Sequence, residues 1–99
     1  MPDFHNESTE RLFKVISGLS SVEECKNFFD DLCTIKEIMD MAQRLDTAIL
    51  LDKGYSYQKI AESVKVSTAT ISRVNRALTY GSNGYRTAIE KIKNSEEKK

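Results

Sequence analysis

The side chains with the most distinctive chemistry lie in the run Ser67-Thr68-Ala69-Thr70-Ile71-Ser72-Arg73-Val74-Asn75-Arg76. At helical period, Ile71 and Val74 share one face, while the hydroxyl, amide and guanidinium groups cover the others. Ser, Thr and Asn are mediocre helix formers because their short polar side chains compete for backbone hydrogen bonds, so helix stability does not account for the choice. Insertion into a DNA groove does. Short hydroxyl side chains let the helix backbone approach closely and can bond phosphates or base edges, and the Thr methyls and Ala69 suit contact with a thymine methyl. Bases are read mainly from the N-terminal turns of such a helix, here Ser67, Thr68, Ala69 and Thr70, where free amides also favour a phosphate. Arg73, Asn75 and Arg76 lie further along, within reach of backbone or base edges. Ser56, Tyr57, Gln58 and Lys59 open the preceding helical pattern and are spaced for backbone phosphates.

Enzyme chemistry has little to work with. His5 is the sole histidine, which excludes a Ser-His-Asp set and leaves a metal short of ligands. No glycine loop that could cradle a phosphate is present. Asp30-Asp31 and Glu23-Glu24 are adjacent on helices and do not face one another. Cys25 and Cys33 lie more than two helical turns apart, beyond disulfide reach within one helix, and are read as small buried hydrophobes. The chain is expected to have no enzymatic activity and no cofactor.

The 99 residues carry 15 basic and 15 acidic side chains, for a formal net charge of zero. The sum conceals a division. Through Thr34, the bases Arg11, Lys14 and Lys26 face seven acids, a net charge of −4. From Lys53 to Lys93, eight bases face only Glu62 and Glu90, a net charge of +6. A compact positive zone is the electrostatic footprint of a phosphate-binding surface, although a solvated basic face has the same composition.

The elements that must position these groups are helical throughout. Residues 1–7 are expected to be frayed. A helix from about Ser8 carries Leu12, Phe13, Ile16 and Leu19 on one face. Ser21 with Glu24, and Thr34 with Glu37, have capping-box spacing. The second helix places Val22, Cys25, Phe28, Phe29 and Leu32 in a stripe. The third carries Ile35, Ile38, Ala42, Leu45 and Ile49, broadened by Met39, Met41, Leu50 and Leu51, and is apolar enough to be central or shared between subunits. It should end at Lys53-Gly54. Ser56 and Ser67 then cap two helices joined by Lys65-Val66, with Ile60, Ala61, Val64, Val66, Ile71 and Val74 inward. This is the spacing of a helix-turn-helix over about residues 57–80. Lys65 stands where many such turns place glycine. Gly81-Ser82-Asn83-Gly84 stops the reading helix, and a last helix from Tyr85 precedes a polar tail. The reading is an all-α chain of about six helices: a flexible segment 1–7, one domain over 8–94 and a tail over 95–99. No apolar run spans a membrane and no signal pattern opens the chain, so the expected location is the cytoplasm, at the nucleoid when on DNA.

The combination resembles the Trp repressor superfamily. Ala69-Thr70-Ile71-Ser72-Arg73 is similar to the centre of that family's reading helix, and Thr34-Ile35-Lys36-Glu37, Ala42-Gln43-Arg44, Lys53-Gly54 and Gln58-Lys59-Ile60 have counterparts at consistent spacing. Phe29-Asp30-Asp31-Leu32-Cys33-Thr34-Ile35, Met41-Ala42-Gln43-Arg44-Leu45, Ser67 through Arg76 and Tyr80-Gly81 resemble the related bacterial YerC/YecD group more closely. The resemblance covers about residues 8–93. It implies an intertwined homodimer that binds a roughly palindromic operator in double-stranded DNA and regulates transcription as a repressor does. It also implies an effector pocket at Thr34, Arg44 and Arg73. There Val74 replaces the glycine that leaves room for tryptophan, Ala77 replaces a serine near the ligand, and Asp31 and Cys33 replace leucines. A valine at that wall overfills the site, so tryptophan is not the expected effector; another small molecule, or none, fits the residues equally. The alternative from a different class is a helical module that binds a protein through Ile38, Met39 and Met41 without binding DNA.

Overall fold

Side-chain caps set most of the helix starts. The computed structural model describes residues 5–97, and in them six α-helices follow one another with no strand: α1 (Glu7–Ser17), α2 (Val22–Leu32), α3 (Ile35–Asp52), α4 (Tyr57–Val64), α5 (Thr68–Tyr80) and α6 (Gly84–Glu97). No helix among the described residues is long and apolar enough to cross a membrane.

Helix α1 starts one residue earlier than the apolar pattern indicates. The Asn6 side chain accepts from the Thr9 amide at 2.9 Å while the Asn6 amide donates to the Thr9 hydroxyl at 2.8 Å. This reciprocal cap satisfies two amides of the first turn. The rest of the expected frayed segment, residues 1–4, lies outside the described residues. Ser21 caps α2 by accepting from the Glu24 amide at 3.1 Å, but the Glu24 carboxylate turns to Ser20, accepting from its hydroxyl at 3.0 Å. Only half of the expected box forms there. The Thr34–Glu37 box is complete: the Thr34 amide donates to the Glu37 carboxylate at 2.8 Å, and the Glu37 amide to the Thr34 hydroxyl at 3.1 Å. Helix α6 begins at Gly84 and runs through Asn94 to Glu97 rather than giving way to a tail, because no Pro or Gly interrupts it after Gly84. Residues 98 and 99 of the expected tail lie outside the described residues.

The chain divides into two compact units, residues 1–38 and 39–99. In the first, neither α1 nor α2 buries a single residue. Val22 is 72% exposed, Ile35 78% and Leu32 50%, although each was expected on an inward stripe. Cys25 and Cys33 are half-buried free thiols rather than the buried hydrophobes expected. Eleven-residue helices are marginal in water on their own, so their stability has to come from packing of their apolar faces.

The second unit has a core. Ala48, Val74, Leu78 and Ile89 pack together, backed by Ile49, Leu51 and Tyr85. Helix α4 packs on α5, and α5 on α6. Ile60 and Ile71 are fully buried, as the helix-turn-helix spacing requires. Of α3, only Thr47 and Ala48 are buried. The broad apolar face expected for this helix is half-buried at Leu45 and Ile49 and exposed at Met39, Met41 and Ala42. Buried Thr47 is satisfied within its own helix, its hydroxyl donating to the Gln43 carbonyl at 2.8 Å. Three links tie α6 to its neighbours: Asp52 accepts from Lys93 Nζ at 3.0 Å and lies 4.0 Å from an Arg86 Nη, and Arg86 Nε donates to the Leu78 carbonyl at 3.1 Å. Gly54 takes the left-handed conformation at φ 89°, ending α3. At Gly81, which ends α5, a Cβ would collide with the Ala77 carbonyl oxygen.

Candidate nucleic-acid interface

The helix pair α4–α5 is built from two serine caps and one turn. Ser56 accepts from the Lys59 amide at 3.2 Å and starts α4. Lys65 ends it in the left-handed conformation, φ 64° and ψ 41°, with its amide donating to the Ala61 carbonyl at 3.1 Å. The chain thus makes the turn that usually takes glycine with a lysine, at a backbone cost of about 1 kcal/mol. Val66 is half-buried, and Ser67 then caps α5 by accepting from the Thr70 amide at 3.1 Å.

The ten residues read from the sequence as DNA contacts fall into distinct settings. Ser67 and Thr70 hold each other: the Ser67 hydroxyl donates to Thr70 Oγ1 at 3.1 Å, and Thr70 is half-buried. Their hydroxyls therefore build the N-terminal tip of α5. Thr68 and Ala69 are exposed in its first turn. Ser72, Arg73 and Arg76 are also exposed and, with Ala69, line an open groove of about 210 Å³ along α5. Asn75 is half-buried, and Ser56, Gln58 and Lys59 are exposed at the start of α4.

Charge sharpens the surface. Two of the eight bases between Lys53 and Lys93, Arg86 and Lys93, lie 4.0 and 3.0 Å from the Asp52 carboxylate and are partly neutralised by it. Among the described residues, Lys59, Lys65, Arg73 and Arg76 form no ion pair. Of the six bases of this stretch that form no ion pair among the described residues, four lie on α4, the turn and α5, where the phosphate-seeking groups were expected, and the other two are Lys53 and Lys91.

A second recess, of about 490 Å³, opens beside α5 and is lined by Met41, Arg44, Arg73, Val74, Ala77 and Tyr85. It unites three of the four residues expected in an effector pocket. The fourth, Thr34, is engaged as the cap of α3. Met41 and Tyr85 were not identified from sequence as part of this recess, since their own helices give no sign that they share it with Arg73. Val74 is 2% exposed and belongs to the core cluster, so its side chain fills space between helices. Arg73 borders both the recess and the α5 groove. Among the described residues, no group of His, Cys, Asp and Glu side chains could hold a metal ion.

Comparison with known proteins agrees with this geometry. The family model for the Trp repressor protein matches residues 7–93. An uncharacterised protein of Bacillus subtilis (strain 168), YerC, is 49% identical over 87 residues, a span of 88% of this chain and 84% of that protein. The crystal structure of a TrpR-like protein from Eubacterium eligens superposes with a TM-score of 0.84 at 44% identity, covering 88% of this chain and 90% of the other. A structure from Staphylococcus aureus described as a candidate Trp repressor superposes with a TM-score of 0.86 at 40% identity, covering 90% and 89%.

Proposed function

The chain belongs to the Trp repressor family, and from that membership we propose that it is a sequence-specific, DNA-binding transcriptional regulator that represses by occupying an operator as a homodimer. The observation that carries this reading is the α4–α5 pair, whose exposed first turn at Thr68 and Ala69 is flanked by the unpaired cations Lys59, Arg73 and Arg76. Cations and helix N-termini on phosphates supply affinity that falls with salt, while the first turns of α5 in the major groove supply sequence preference. Ser56, Gln58, Lys59, Arg73 and Arg76 act on the backbone and flanking edges. Ser67 and Thr70 shape the tip, and Thr68, Ala69 and Asn75 meet bases.

The homodimer is supported by the unit over residues 1–38, whose apolar side chains find no core in one chain. A second copy supplies the missing surface, and its two-fold axis pairs the reading helices on a roughly palindromic site with half-sites about one helical turn apart. Free tryptophan is not the effector in this reading, because Val74 stands at the recess wall where the resemblance places a glycine that leaves room for the ring.

A mobility-shift titration on mixed-sequence duplex DNA at 50 and 200 mM salt tests the reading. Retention at low salt that weakens steeply at high salt is expected. No retention at either salt, with a partner protein bound through Met39 and Met41, would replace it with the interaction-module reading.

A further inference from the structure

We infer that Lys65, in the turn between α4 and α5, is itself a DNA-backbone contact that this chain uses where the fold would be satisfied by glycine. The inference deepens the DNA-binding reading and rests on it. Two independent observations carry it. The first is conformational: Lys65 sits at φ 64° and ψ 41°, a region L-residues avoid because Cβ approaches the backbone carbonyl. In the turn its backbone amide donates to the Ala61 carbonyl, a bond that any non-proline residue would make. Nothing in the fold requires a side chain there, and glycine would take the conformation at no steric cost. Strained positions of this kind cluster where a side chain has work to do.

The second observation is electrostatic. Lys65 is exposed and, among the described residues, makes no ion pair, even though Glu62 lies on the preceding turn of α4. Its side chain is thus not retained as a surface salt bridge. It lies two residues before Ser67, the cap of the reading helix, so the two Cα atoms are at most about 7.6 Å apart. A lysine stem covers a comparable distance. An ammonium at this point extends the cationic series of Lys59, Arg73 and Arg76 to the junction of the two helices, and its partner is a phosphodiester oxygen of the strand flanking the N-terminus of α5.

The test compares the full-length protein with Lys65→Gly and Lys65→Gln on a duplex that the wild type retains, with affinity measured between 50 and 200 mM salt and melting followed by circular dichroism. Each phosphate contact contributes about 0.9 to the slope of log affinity against log salt, so losing one per protomer lowers a dimer's slope by about 1.8. Across that fourfold range the wild type should lose about twelvefold more affinity than either variant. Lys65→Gly should melt at the same or a higher temperature than the wild type, so weaker binding cannot be assigned to unfolding. A slope unchanged in both variants overturns the inference while leaving the DNA-binding reading intact. A slope lowered in Lys65→Gly but not in Lys65→Gln also overturns it, since turn geometry rather than charge would then be responsible. A wild type that retains no duplex overturns both.

Discussion

Val74 gives the most quantitative test of how core and recess are divided in this protein. Its side chain is 2% exposed and packs with Ala48, Leu78 and Ile89. Val74→Ala removes two buried methyl groups, worth about 1.6 kcal/mol at about 0.8 kcal/mol each. Incomplete collapse of the site adds roughly 1 kcal/mol, and the better helix propensity of alanine returns roughly 0.5 kcal/mol. The net expected loss is about 2 kcal/mol per protomer, or about 4 kcal/mol per mole of dimer when unfolding is coupled to dissociation. Urea unfolding followed by circular dichroism at one fixed protein concentration measures it. The same side chain borders the recess with Arg44 and Arg73, so wild-type protein should give no calorimetric heat with millimolar tryptophan. A loss below about 0.5 kcal/mol per protomer would refute the placement of Val74 in the core. A saturable tryptophan isotherm would refute the claim that it fills the ligand's space.

Arg76→Ala should weaken operator binding and reduce the salt slope by about 0.9 per protomer, with melting unchanged; a mobility-shift salt series checks this. Thr34→Ala removes the cap of α3 and should cost about 1 kcal/mol in urea unfolding, since the Glu37 amide loses its acceptor. Asp52→Asn should change stability by less than about 1 kcal/mol, because its partners Arg86 and Lys93 have side chains 52% and 58% exposed and such pairs are screened. The proposed homodimer predicts that dilution lowers helicity measured by circular dichroism, as residues 1–38, with Val22, Leu32 and Ile35 exposed in the single chain, lose the second copy. Helicity independent of concentration down to nanomolar protein would count against the dimer.

Local features were the most legible in the sequence. Ser56, Ser67 and the Thr34–Glu37 box set helix starts through contacts three residues apart, which spacing alone reveals. The Asn6–Thr9 box has the same spacing, but Thr in place of Glu made its signal weaker. The inward positions of Ile60, Ile71 and Val74 were legible because helix-turn-helix geometry dictates them. Val22, Ile35 and Met39 were not, since periodicity marks an apolar face without saying whether its cover lies in the same chain. Long-range partners gave no local signal at all. Asp52 reaches Lys93 across 41 residues, and Met41 and Tyr85 come to line one recess with Arg73 only through the packing of three helices. The Thr70 hydroxyl was read wholly as groove chemistry, whereas it accepts from the hydroxyl of Ser67, the residue that caps the helix through the Thr70 amide.

Selection of duplexes from a random pool with the purified protein, followed by sequencing, tests the central claim most directly. The account predicts enrichment of a two-fold symmetric site whose half-site centres lie about 10 base pairs apart, with the preference altered by substitutions at Thr68 or Ala69. A pool that remains unenriched, or an enriched site with no two-fold symmetry, would contradict it.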